Sequence, residues 1–99
     1  MENVITGTSE IVKQLIEDNK TSGKVAIIDF YAEWCGPCRT LGPVLNSLAT
    51  ENPDISVVKV NVDDNSDLST EFGIRSIPAV FIYKDGEKIN QFVGMKSKE

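Results

Sequence analysis

The chain has 99 residues, 40% of them apolar and 25% charged, with ten Lys plus Arg against fifteen Asp plus Glu for a net charge of −5. That length holds one small domain, the composition is that of a folded chain, and no apolar run approaches the ~20 residues needed to cross a bilayer. The acidic balance argues against nucleic acid or an anionic membrane as a partner held through bulk charge.

In chain order, Val4-Ile5 is a short strand candidate and Thr6 to Ser9 offers helix N-caps. Ile11, Val12, Leu15 and Ile16 then recur at helical spacing, and this helix is expected to stop in the Asn19–Gly23 region. Val25 to Tyr31 is β-branched, aromatic and nearly continuous in apolar character, as suits a strand buried on both faces. Helical spacing returns from Pro37 onward through Leu41, Val44, Leu45, Leu48 and Ala49, with a kink expected at Pro43. Ile55 to Val62 reads as a strand, and Ser66 to Phe72 as a short helix that Gly73 can end. Ala79 to Tyr83, Asp85-Gly86 and Lys88 to Val93 together read as a hairpin. The order β-α-β-α-β-α-β-β implies an α/β fold, a single domain over 1–99 with a mixed sheet and helices on both faces.

Histidine is absent, so Ser-His-Asp and Cys-His mechanisms and His-ligated metals or haem are excluded. The two cysteines, Cys35 and Cys38, close so small a ring that a disulfide between them adds only roughly 2 kcal/mol, against about 4.7 for a ring of 100 residues. Their value is chemical. Trp34-Cys35-Gly36-Pro37-Cys38 stands where the buried strand gives way to a helix, so orphan N–H groups and the positive end of the helix dipole stabilise a thiolate at Cys35. Cys38 follows one turn later on the same face, within reach of Cys35. Pro37 costs nothing at a helix start, and Gly36 lets the backbone approach an incoming sulfur.

Other readings of the pair are weaker. Two thiolates make half a zinc site, which only a second chain could complete. A c-type haem needs His after the second Cys, where Arg39 stands. Inert core thiols do not call for Gly-Pro between them at a strand-to-helix junction. The acidic group Asp63, Asp64, Asp67 and Glu71 reads as a solvated helix start, so no metal and no cofactor is expected.

Some residues admit two readings. Asp29, six positions before Cys35, is either a strand-end carboxylate that reaches solvent or a buried group with a raised pKa. Lys59 is an outward strand residue or a neighbour of Asp29. Trp34 is a core aromatic or part of a docking rim, and Pro78 on its own is an ordinary trans proline opening a strand.

Four stretches together resemble the thioredoxin family over residues 3–95: Asp29-Phe30-Tyr31-Ala32-Glu33-Trp34-Cys35-Gly36-Pro37-Cys38, then Pro43, then Gly73-Ile74-Arg75-Ser76-Ile77-Pro78, then Val93-Gly94. The resemblance implies a thiol-disulfide oxidoreductase in which Cys35 is the nucleophile and Cys38 the resolving thiol. It also implies Asp29 as proton acceptor and donor, Lys59 as the residue that tunes Asp29, and a cis bond before Pro78. Trp34, Val62, Ile74, Ile77, Pro78, Val93 and Gly94, with Met95, match positions that frame a substrate groove, and the Ile77 backbone would pair with an extended substrate.

With a thiol pKa near 7, a figure that belongs to the resembled family, thiolate at neutral pH rises roughly 16-fold over an ordinary cysteine, and lower nucleophilicity leaves a net gain of about 3–4-fold. Proximity of the second thiol contributes more. The resemblance further implies disulfide-containing protein substrates and a flavin-containing thioredoxin reductase as reductant.

Met1-Glu2-Asn3 lacks the basic, apolar start of a signal peptide, so a cytoplasmic protein is expected. The family's final amphipathic helix is expected to be absent or truncated here, since Met95 to Glu99 would make only about 7.5 Å of helix. Some apolar surface of the hairpin strands, drawn from Val80, Ile82, Phe81, Ile89, Phe92 or Val93, is therefore expected to be less covered, and a monomer or a weak dimer through that face is expected. A thioredoxin-like binding module or subunit of a larger complex, in which redox activity is secondary, is the alternative. An isomerase or oxidant would need a higher reduction potential.

Overall fold

A computed structural model describes residues 4–93. The elements are β1 (Val4–Thr6), α1 (Ser9–Ser22), β2 (Val25–Tyr31), α2 (Gly36–Glu51), β3 (Ile55–Asn61), α3 (Ser66–Glu71), β4 (Ala79–Lys84) and β5 (Glu87–Val93). Among the described residues no helix is long and apolar enough to cross a membrane.

Each boundary has a local cause. Thr8 caps α1 by accepting from the Ile11 N–H, and Gly23 closes it at φ 75, in the left-handed region. The β4–β5 turn places Asp85 at φ 57 and Gly86 at φ 80, the pair of positive angles that a two-residue hairpin of this twist requires. α2 continues through Pro43, whose missing N–H leaves the Arg39 carbonyl without its helical donor.

The sheet runs β1-β3-β2-β4-β5. β1 and β2 flank β3 in parallel, whereas β2 with β4 and β4 with β5 are antiparallel. β2 is thus central, and its five inner residues are buried. Strand alternation divides the core into two layers. Ile28, Phe30, Val58, Val60 and Phe81 meet Val12 of α1 and Leu68 of α3 on one face. Ile27, Val57 and Val80 meet Leu41, Leu45 and Ala49 of α2 on the other.

The hairpin is unevenly covered, and its exposed apolar surface falls on two of the six residues named. Val80 and Phe81 are only 1% and 6% exposed. Val80 lies under α2, and Phe81 packs edge-on against Phe30 and Phe72 with ring centres 5.6 and 5.2 Å away. Ile82 and Phe92 are half-buried beside the α2 layer, so Ile89 and Val93, at 58% and 57%, carry the exposed apolar surface. The expectations at Gly94 and Met95, and that of an absent final helix, lie outside the described residues.

Candidate active site

Past β2 the chain turns through buried Ala32 and enters α2 at the cysteine pair. Cys35 is the N-cap of α2, with extended backbone, and its Sγ accepts from the Cys38 N–H at 3.2 Å. Pro37 occupies the first turn, where an N–H would have had no helical partner. Cys38 is bonded to Cys35, with Cα atoms 5.2 Å apart. Both cysteines are nearly buried, grouped with Ala32, and Tyr31, Val62 and Ile77 pack against them. Opening the disulfide leaves the Cys35 sulfur at a position where backbone N–H groups and the positive end of a helix favour negative charge. On the Gly36 side a Cβ would meet nothing within 4 Å, so that approach is open.

The Ile77–Pro78 bond is cis, Pro78 is buried, and no hydrogen bond among the described residues engages the Ile77 backbone. Trp34 is 69% exposed, which places it on the rim rather than in the core. Its indole N–H donates to Asp63 Oδ2 at 2.9 Å.

Asp29 sits at the centre of β2, in register with Lys59 of β3 and Val80 of β4. It is 2% exposed and therefore does not reach solvent as a strand-end carboxylate would. Burial pushes its pKa up from 3.8 to about 6, while the Lys59 charge pulls the other way. Its Oδ1 has no hydrogen-bond partner among the described residues. By strand alternation Asp29 and Lys59 share the α2 face with Ile27 and Val57, below the helix that carries Cys38. Lys59 Nζ donates to the Gly42 carbonyl at 3.4 Å, so this lysine is turned inward.

The residues proposed for the groove divide into two groups. Val62 and Ile77 touch the cysteine cluster. Ile74 and Val93 instead line a separate cavity between the α3–β4 loop and β5.

Two contributors escaped the sequence reading. Gly42 makes room for Lys59, since a Cβ there would lie 3.1 Å from Nζ, and a glycine inside a helical pattern was the available signal. Asp63 read as a solvated acid, and nothing local to it indicates a partner 29 residues away. Of its acidic neighbours, Asp67 lies in the first turn of α3 and Glu71 pairs with Lys13 at 3.6 Å.

The family model described as Thioredoxin matches residues 3–99. The chain is 42% identical over 82 residues to a thioredoxin of Chlamydia pneumoniae, covering 83% of this chain and 80% of the relative. It is 40% identical over 94 residues to a thioredoxin of Mycoplasmoides gallisepticum, covering 95% and 89%. Among solved structures, a thioredoxin of Nicotiana alata superposes with a TM-score of 0.85 at 33% identity, covering 96% of this chain and 84% of that one.

Proposed function

The chain belongs to the thioredoxin family and is a dithiol-disulfide oxidoreductase, and on that premise we propose how its residues divide the work. In the reduced protein the Cys35 thiolate attacks one sulfur of a substrate disulfide. A mixed disulfide forms, and the other substrate sulfur leaves as a thiolate that takes up a proton. Asp29 removes the Cys38 proton, and the Cys38 thiolate attacks the Cys35 sulfur. The second substrate thiolate leaves, two electrons have passed to the substrate, and the Cys35–Cys38 disulfide remains. Lys59 keeps the Asp29 pKa from rising further, so that the carboxylate is available near neutral pH.

Cys35 Sγ at the N-cap of α2, bonded to a cysteine one turn in, is the observation that carries these roles. The Ile77 backbone beside the cluster, which no hydrogen bond engages among the described residues, supports an extended substrate segment docking there, with Trp34, Val62 and Pro78 around it. The proposal extends to protein disulfides as substrates, a thioredoxin reductase as electron source, a single domain over 1–99, the cytoplasm as location, and a monomer or weak dimer as working form.

The test is reduction of an insulin-type interchain disulfide by a small dithiol, with the parent, Cys35→Ser and Cys38→Ser compared. Acceleration by the parent, none by Cys35→Ser and trapped mixed disulfides with Cys38→Ser are expected. A folded but inert parent returns the molecule to the binding-module reading.

A further inference from the structure

Beside the cysteine site lies a cavity of about 200 Å³ between the loop after α3 and the edge strand β5, lined by Phe72, Ile74, Arg75, Phe81, Gln91 and Val93 among others. Ligand sites for whole small molecules span roughly 300–1,000 Å³, so this space suits a single side chain. Its floor is apolar and its rim is cationic. Arg75 is exposed, and no hydrogen bond or ion pair among the described residues engages it. A second cation, Lys88, lies 5.5 Å from the centre of the Phe81 ring and donates to Gln91 Oε1, which fixes it against two lining residues.

Among the described residues no carboxylate lines the cavity. Glu71, next in sequence to the lining Phe72, is paired with Lys13 of α1 at 3.6 Å. In a chain of net charge −5 this is a local reversal of sign. Arg75 is also two residues from Ile77, whose backbone pairs with the substrate in the reading above.

We propose that this cavity is an accessory specificity pocket that takes a glutamate or aspartate side chain of the protein substrate. The methylenes lie on Phe81, Ile74 and Val93, and the carboxylate is held by Arg75. The inference rests on the disulfide-reductase reading and names which substrates that site prefers. An extended segment running along Ile77 carries alternate side chains to the same face, so a residue a fixed distance from the reacting cysteine reaches the pocket. A substrate with an acidic residue at that distance is reduced faster than one with a neutral isostere.

The experiment uses fluorescence-quenched disulfide peptides in which one Glu, or one Gln in its place, is moved from three residues before to three residues after the reactive cysteine. At one position the Glu peptide is expected to show a kcat/KM about 2–5-fold above its Gln counterpart, the size an exposed charged pair supplies, and added salt shrinks the ratio. R75Q brings the ratio to about one, and R75E shifts the preference to peptides with Lys at the same position. Glu peptides with no advantage anywhere, or an advantage that survives R75Q, overturn the pocket while turnover of the Gln peptides keeps the reductase reading intact. Inert Gln peptides overturn the reductase reading and the pocket with it.

Discussion

A carboxyl buried at the centre of a sheet, with one oxygen unpartnered, costs stability whenever it is ionised. For Asp29 the folded protein binds the proton more tightly than the unfolded chain between pH 3.8 and about 6. Stability therefore falls as pH rises through that window, and about 3 kcal/mol is lost by neutral pH. Asp29→Asn keeps the shape and removes the charge. Urea midpoints are expected to show the variant more stable than the parent at pH 8 by a gap of that order, closing below pH 4; an equal gap at both pH values would mean the charge is not its cause. The same variant should accumulate mixed disulfide above pH 6, where the parent resolves it. The Trp34–Asp63 hydrogen bond is the other residue-scale control point. Asp63→Ala removes the acceptor and frees the exposed indole. A faster-relaxing Trp34 fluorescence anisotropy and a 2–5-fold lower kcat/KM on protein disulfides are expected, the loss that ~0.5–1 kcal/mol of rim order corresponds to. Unchanged anisotropy would show that the bond does not hold the ring.

At the scale of elements, the outline of α1, β2, α2 and the hairpin was legible because its causes are local: Thr8 and Gly23 at the ends of α1, Gly36-Pro37 at the start of α2, Asp85-Gly86 in the turn. What joins the elements was not. Asn19 reads as a turn-forming polar residue at the end of a helix, yet it is 3% exposed and ties three segments together. Its Nδ2 donates to the Lys24 carbonyl at 2.9 Å, and its Oδ1 accepts from the Gly86 N–H at 2.7 Å. The end of α1, the start of β2 and the hairpin turn thus share one side chain. Asn19→Ala takes the partner from two part-buried backbone groups and is expected to cost about 1–3 kcal/mol, roughly one ordinary hydrogen bond each. Its thermal midpoint, with hydrogen exchange at Gly86, checks this. A loss below 0.5 kcal/mol would mean water replaces the amide.

The whole molecule rests on two core layers across one sheet, and the cysteine pair contributes little to holding it together. Reduction opens only a four-residue ring, so the reduced protein is expected to stay folded and to lose about 2 kcal/mol, read as a lower urea midpoint with a dithiol present. A reduced form that unfolds in buffer would mean the layers alone are insufficient. Function depends on that independence, since the protein must keep its surface in both redox states. Local physics in the sequence set the class of chemistry, because a missing histidine excludes and a Cys-Gly-Pro-Cys at a strand-to-helix junction selects. It also determined the element order, because apolar periodicity, caps and turn residues act over a few positions. It took the packed fold to bury Asp29 and turn Lys59 inward, to cover Phe81 and Val80, and to bring Asp63 to Trp34. Burial and pairing are set by which strands and helices come to lie side by side, and that is a property of the packed sheet rather than of any one segment.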